Sequence, residues 1–368
     1  MDIVNYEHVP IKRIGKVITG KTPATSHEEY YGGQYMFISP VELHGGYRVT
    51  KSEKTITEKG LESIKTNSIE GISILVGCIG WNMGNVAMCF EKCATNQQIN
   101  AITQIDAKYN PYYIYYWLCG KKKYLFSIAS VTRTPILSKS TFEEIVIPLP
   151  IKKNQDKIAN ILLKIDQKIT LNKQINDNLE QQMHLIFENM MAKAATHKLS
   201  GKYTIAQNLA TVVTGKEDAN FSVPNGKYKF FTCSNTPLSC DEYAFDASSI
   251  LIAGNGDFNV KHYSGKFNAY QRTYVLTPDK KYFGLLYLAS LYRINSFKSR
   301  SSGSIVKFIT KSDVENIPVF IPNDRFYLQE LNKLIYLQEQ NKLENELLVN
   351  LRDWLLPMLM NGQATISD

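Results

Sequence analysis

Two groups of side chains in this 368-residue sequence are of types that can read the edge or face of a nucleobase. Arg and Lys suit guanine, Asn and Gln suit adenine, and an indole can stack on a base or wedge into a groove. In the first half these are Trp81, Asn82, Arg133 and Thr134, and in the second Asp257, Asn259, Gln271 and Arg272. Cations suited to phosphate are Lys21, Lys121, Lys122, Lys123, Lys216, Lys298 and Arg300. Blander readings stand beside these: Trp81 as a partly buried core residue, and Lys121 to Lys123 as the solvated end of a helix, where cations are favoured.

Bond-making chemistry is not indicated, and no catalytic residue or cofactor is expected. There is no (N/D)PP(Y/F) loop to grip an amino group, and Pro148-Leu149-Pro150 does not qualify. There is no GxxxxGK(S/T) segment. GCIGWNMGN (77–85) lacks the GxGxxG turn, and GNGDF (254–258) lacks a third glycine, so both read as turns. The six histidines are scattered without HExxH, and the six cysteines show no CxxC, so the thiols read as reduced and no metal is expected.

The formal charge is +8, which permits a nucleic-acid partner without establishing one. By segment the balance is +3 over residues 1–150, +2 over 151–196, +6 over 197–322 and −3 over 323–368. That distribution suits two modules that grip phosphate and an acidic helix that meets protein. The start MDIVNYEHVP is no secretory signal, and no run of 18 apolar residues exists, so a soluble cytoplasmic chain without a membrane partner is expected.

These side chains need elements to hold them, and a diverged repeat supplies the plan. IGKVITGK (14–21) meets NLATVVTGK (208–216), GISILVGCIG (71–80) meets ASSILIAGNG (247–256), and ATNQQINAI (94–102) meets NAYQRTYVL (268–276). ILSKSTFEEIVIPLP (136–150) then meets FITKSDVENIPVFIP (308–322), and LNKQINDNLEQQM (171–183) meets QNKLENELLVNLR (340–352). Strands are expected at Ser73 to Ile79, Ile99 to Ile105, Ser249 to Ala253 and Thr273 to Thr277, and helices at Pro111 to Leu118 and Tyr282 to Leu291.

Each module is followed by a helical segment. Residues 156–192 contain no Gly or Pro. In heptads, Ile158, Ile165, Asn172, Leu179 and Ile186 share one position, and Leu162, Ile169, Asn176, Met183 and Met190 the other. The second copy is rougher: Tyr327, Leu334, Asn341, Leu348 and Leu355, with Leu331, Gln338, Asn345, Arg352 and Leu359. Such seams predict long helices that pack on each other, with a pair of asparagines fixing register. The first would be a rod of about 50 Å, and Pro357 should end or kink the second. A compact bundle that separates nothing is the competing arrangement.

With these features together, the chain resembles the specificity subunits of type I restriction–modification enzymes. The resemblance covers essentially the whole chain. It rests on the paired modules, IPLPIKKNQDKIANILLKIDQKI (147–169), LNKQINDNLEQQMHLIF (171–187) and the tail NLRDWLLPMLMNG (350–362). It implies an α+β chain: two α/β target-recognition domains (1–150 and 197–322) joined by two long antiparallel coiled-coil helices (151–196 and 323–368). The implied partners are double-stranded DNA with a bipartite asymmetric target, two modification subunits that carry S-adenosylmethionine and methylate adenine N6, and motor and nuclease subunits that can join them. The second copy departs from the first where Phe326 and Tyr327 replace Asn154 and Gln155, which puts its approach to the helix in question. The rival functions are a two-module scaffold that binds only protein and an enzyme with an unrecognised site.

Overall fold

A computed structural model describes residues 6–81, 83–131, 133–256, 258–300 and 308–364, with backbone alone for residues 131 and 297–300. They form two compact units, 6–171 with 345–364, and 172–344. Each unit takes a stretch of both long helices, so the units divide the chain differently from the four consecutive segments expected.

The first unit runs β1 (Glu7–Pro10), α1 (Ile11–Ile14), β2 (Lys16–Thr19), β3 (Tyr31–Ile38), β4 (Lys54–Ile56), α2 (Glu58–Ser63), β5 (Ser68–Ile69), β6 (Ser73–Gly77), β7 (Val86–Cys89), β8 (Cys93–Thr95) and β9 (Ile99–Thr103). It continues through α3 (Pro111–Cys119), α4 (Lys122–Ser127), β10 (Ser130–Val131), β11 (Pro135–Ile136), α5 (Lys139–Glu143) and β12 (Val146–Leu149) into α6 (Lys152–Ala195). One sheet has the order β2-β9-β6-β7 and another β4-β3-β8-β5, while β1 pairs with β12. β6 and β9 are buried along their whole length, as their near-continuous small and apolar runs require. α3 starts where Asn110 Oδ1 accepts from the Tyr112 and Tyr113 amides at 2.9 and 3.1 Å and Pro111 fills the first turn.

The second unit holds β13 (Gly201–Ile205), β14 (Ala210–Thr214), β15 (Tyr228–Phe231), β16 (Leu238–Cys240), β17 (Phe245–Ala253), β18 (Val260–Ala269), β19 (Thr273–Pro278), α7 (Phe283–Arg300), α8 (Lys311–Glu315) and β20 (Pro318–Pro322), followed by α9 (Arg325–Met360). Its sheet has the order β14-β19-β17-β18-β15-β16, and β13 pairs with β20. The first four strands repeat the order β2-β9-β6-β7, so the sequence repeat is a repeat of sheet topology.

The long helices have 44 and 36 residues, about 66 and 54 Å at 1.5 Å per residue. Within the first unit Asp166 meets Arg352, and Asn345 Nδ2 donates to the Ile169 carbonyl at 3.3 Å. Within the second, Asn176 Nδ2 donates to the Gln338 carbonyl at 3.3 Å and Lys193 Nζ to the Tyr327 hydroxyl at 3.3 Å. Numbers rise along α6 as they fall along α9, so the pairing in each unit is antiparallel. The asparagine pair is Asn341 with Asn176, amide to amide at 2.9 Å, and Asn172 Nδ2 donates to Glu344 at 2.7 Å.

The seam on α6 includes Ile158, Leu162, Ile169, Asn172, Asn176, Leu179 and Met183, all buried. It departs from expectation at Ile165, which is half-buried while Asp166 goes inside, and at Ile186, where Phe187 goes inside. An α-helix turns every 3.6 residues, so a strict heptad count drifts off the buried face. On α9, Tyr327, Leu331 and Leu334 are buried, and Asn341, Asn345 and Leu348 are half-buried. α9 passes through Pro357 and runs to Met360, ending before Gly362, which has φ 69°.

The expected difference between the two copies is visible. In the first unit the buried Gln155 accepts from the Asn110 amide at 2.9 Å and donates to the Pro150 carbonyl at 2.8 Å, tying α3 to α6. In the second, Tyr327 fills the core and Asn332 does the tying, accepting from Gly284 N at 2.8 Å and donating to the Lys281 carbonyl at 3.0 Å. Also in the second unit, His262 on β18 lies with Nδ1 3.0 Å from Glu339 Oε1 and Nε2 2.9 Å from Gln338 Oε1. Burial works to raise the Glu339 carboxyl, but the hydrogen bonds of His262 and Ser264 and the charge of Lys342 outweigh it and hold the group below the usual carboxylate range.

Replacing Leu162 by Ala should cost about 2–5 kcal/mol, because the side chain is fully buried between helix and module. Leu185→Ala, at a position 65% exposed, should change the urea midpoint by no more than about 0.5 kcal/mol equivalent. Acid should act through Glu339. Its depressed carboxyl contributes stability that is complete above the usual carboxylate range and is lost as pH falls below that range, through the lower value the group has when folded. Urea unfolding of Glu339→Gln should therefore show a flatter acid limb than the parent.

Candidate nucleic-acid interface

The chemistry-bearing loops of the first unit gather at one end of the sheet β2-β9-β6-β7. The Gly20 amide donates to the Ile99 carbonyl at 3.0 Å, Gly77 to Asn85 at 3.0 Å, Cys78 to Gln98 at 2.7 Å, and Leu137 to Cys78 at 2.9 Å. The second unit uses the equivalent atoms. Gly215 donates to Thr273 at 3.0 Å, Ala253 to Asn259 at 2.9 Å, Gly254 to Arg272 at 2.8 Å, and Ile309 to Gly254 at 2.8 Å. Four hydrogen bonds thus fix the same loop frame twice.

The repeated Gly-Lys pair has a steric cause. A Cβ on Gly20 would lie 2.1 Å from the Asn96 carbonyl oxygen, and one on Gly215 would lie 2.1 Å from that of Ala269. Backbone occupies the space, so only glycine lets β2 and β14 end against the neighbouring loop. Lys21 and Lys216 follow at once and are exposed.

The loops of the first frame carry Lys21, Trp81, Arg133 and Thr134. Trp81 is 69% exposed, 6.0 Å from the Phe126 ring, which places its indole on the surface and not in the core. The Gly80 amide donates to the Pro135 carbonyl at 3.0 Å, so the turn bearing Trp81 is held beside the exposed Arg133 and Thr134. Lys122 donates to Asn85 Oδ1 at 2.8 Å at the rim of this frame, and Lys123 is exposed. Lys121 is half-buried with its ammonium 5.2 Å from the Trp117 ring. Asn82 lies outside the described residues.

Within the second frame, Lys216, Asn259, Gln271 and Arg272 come together. Gln271 and Arg272 are exposed, while Asn259 is half-buried and donates Nδ2 to the Cys233 carbonyl at 2.8 Å. Asp257 lies outside the described residues, as do the side chains of Lys298 and Arg300.

Other residues of the frames were not singled out by sequence. By the repeat, Gln97 and Gln98 stand where Gln271 and Arg272 stand; Gln97 is exposed and accepts from Thr22 Oγ1 at 2.9 Å. Both lie in the landmark ATNQQINAI, whose match to the second copy is the sequence signal for them. Lys261 donates to the Thr232 carbonyl at 3.3 Å and to that of Ser234, and burial pulls its ammonium below the ordinary lysine range. Burial pushes the Cys78 thiol up to about 12 despite hydrogen bonding at Asn100, so this frame cysteine is packing and not a nucleophile. Among the described residues no group of three or more His, Cys, Asp or Glu could hold a metal ion, and no helix is long and apolar enough to cross a membrane.

Comparison with known proteins gives concordant matches. A family model described as "Type I restriction modification DNA specificity domain" matches residues 3–181 and 202–350. The chain is 37% identical over 164 residues to the Type I restriction enzyme EcoDI specificity subunit of Escherichia coli, an alignment covering 43% of this chain and 37% of that protein. To the HindI specificity subunit of Haemophilus influenzae it is 31% identical over 178 residues, 47% of this chain and 39% of that protein. The chain therefore matches well under half the length of these two relatives. Against the MjaIX specificity subunit of Methanocaldococcus jannaschii the identity is 24%, over 97% of this chain and 93% of that one. Among solved structures, a type I restriction–modification S subunit from M. genitalium shares the fold with a TM-score of 0.63 at 18% identity, covering 100% of this chain and 98% of that one.

Gly20→Ala and Gly215→Ala should each displace one frame. Hydrogen–deuterium exchange should rise at residues 20–22 and 95–99 in the first variant and at 215–217 and 269–273 in the second, with the other unit's frame unchanged in each. Unaltered exchange in both would show that the glycines are not required.

Proposed function

The chain belongs to the type I restriction modification DNA specificity family, and from that premise we propose that it is the sequence-reading, non-catalytic subunit of a type I restriction–modification complex. Residues 1–150 and 197–322 are two target-recognition domains, each reading one half of a bipartite, asymmetric duplex target, and the paired long helices keep the halves a set number of base pairs apart.

The observation that carries this reading is the twice-built loop frame. The hydrogen bonds of the frame are the same in both units, whereas the side chains it presents differ: Trp81, Gln97 and Gln98 in one, Gln271 and Arg272 in the other. A constant frame with changed contents is what two readers of two different half-sites need. Arg133 and Arg272 are assigned to guanine edges, Asn82, Asn259, Gln271 and Thr134 to further base edges, and Asp257 to a cytosine amino group. Trp81 stacks or wedges. Lys21, Lys121, Lys122, Lys123, Lys216, Lys298 and Arg300 are assigned to phosphate, which positions the chain without specifying sequence.

Methylation of an adenine inside a duplex requires the base to leave the stack. We place that pocket, and the S-adenosylmethionine that feeds it, on two modification subunits, with restriction and motor subunits able to join them, all in the cytoplasm. In the first unit α9 leaves Leu347, Leu351 and Trp354 exposed at spacings of four and three, while Leu359 turns into the core. That apolar stripe is assigned to a modification subunit. The protein-only scaffold has no observation in its favour.

Co-expression with the modification subunit and mapping of methylated adenines should return a two-part motif with a constant gap. Affinity for duplex should fall steeply with salt. Arg272→Ala should weaken binding about 10- to 100-fold and relax one target position, while Lys21→Ala should weaken all sequences alike and lower the salt slope by about one. Salt-independent binding, or an unchanged motif in the Arg272 variant, would remove the corresponding assignment.

A further inference from the structure

Each unit contains the same three-element brace. In the first, the Tyr116 hydroxyl on α3 donates to Asp166 Oδ2 on α6 at 2.8 Å, and Arg352 Nη1 on α9 donates to Asp166 Oδ1 at 2.9 Å. In the second, the Tyr287 hydroxyl on α7 donates to Glu180 Oε1 on α6 at 3.3 Å, and Gln338 Nε2 on α9 donates to Glu180 Oε2 at 2.9 Å. A carboxylate on α6 thus divides its two oxygens between the module helix and the other long helix in both cases.

The two braces do not occupy equivalent positions of the repeat. The helix repeat pairs Asn172 with Asn341 and Asn176 with Asn345, a spacing of 169. That spacing puts Ile335 and Met183 at the places of Asp166 and Arg352, and Val349 and Ile169 at those of Glu180 and Gln338. A similar set of contacts is thus made twice from different residues.

Apolar packing between module and helices is non-directional and tolerates small pivots. A carboxylate held from two sides is directional, because a shift of the tyrosine breaks one of its hydrogen bonds; Asp166 is buried and would be left desolvated, whereas Glu180 is half-buried and also lies 3.7 Å from His184. Both phenols are buried, and burial, followed by the neighbouring carboxylate, pushes them up, so they remain neutral donors. The rise per base pair is only about 3.4 Å, so a modest pivot of a recognition domain moves its half-site by one step.

We infer that Tyr116 and Tyr287 are positioning residues that fix the angle of each recognition domain on the helix pair and thereby the gap allowed between the half-sites. This rests on the reading of two recognition domains given above.

The test uses the full chain assembled with its modification subunits and duplexes carrying both half-sites at the native gap or at one base pair more or less. For Tyr116→Phe and Tyr287→Phe, which keep the ring, the ratio of methylation at the native gap to that at a shifted gap should fall about tenfold, with discrimination against mutated half-sites unchanged. A ratio equal to the parent's, or a parallel loss at every gap, would overturn the inference and leave the recognition reading intact. A parent chain indifferent to the gap would overturn the recognition reading as well. Should a Phe variant fail to assemble, Asp166→Asn and Glu180→Gln are read by the same ratio and decide in the same way.

Discussion

An amide in an apolar seam must find a partner, and along the long helices that requirement decides which residue faces which. Asn176 reaches the Gln338 carbonyl in one unit, and Asn345, its counterpart in the repeat, reaches the Ile169 carbonyl in the other. Apolar layers such as Leu162 and Met183 supply burial, but they would pack about as well after a shift of one turn. The amides would not, because a displaced Asn or Gln loses its acceptor inside a poorly solvated seam. Where each module meets the helices, and hence where its loops point, follows from that register.

The modules combine a fixed frame with variable contents. Backbone hydrogen bonds carry the frame, so the side chains at the sheet ends are free to differ, as Gln98 and Arg272 do at equivalent places. Side chains on a rigid scaffold of this kind can diverge without disturbing the core. The two units also differ in how a polar side chain ties module to helix, through Gln155 in one and Asn332 in the other. The repeat therefore conserves the task more closely than the residue.

Much of this was legible in the residues. The order of landmarks gave the duplicated modules, and apolar periodicity gave α6 and α9 because burial of one helical face is a local pattern. The seam slipped at Ile165 and Ile186, where a seven-residue count runs ahead of the true helical turn. Sheet partners such as β3 with β8 were not legible, since their pairing joins distant segments and leaves no periodic trace. At the candidate interface, exposed Trp81, Gln271 and Arg272 could be named from their types. The exposure of Gln97 at the sheet end needed the frame to be seen, and the engagement of Asn259 by the Cys233 carbonyl needed the loop geometry. The phosphate candidates mix free and committed cations, as Lys121 on Trp117 illustrates, and charge counting cannot separate them.

The pairing of β1 with β12, and of β13 with β20, has an evolutionary consequence. The chain enters and leaves each module through two adjacent antiparallel strands, so everything between them hangs as a closed cassette from a short clasp. Genetic exchange with breakpoints inside the two clasp strands would transplant a whole cassette and leave the helices that receive it unaltered.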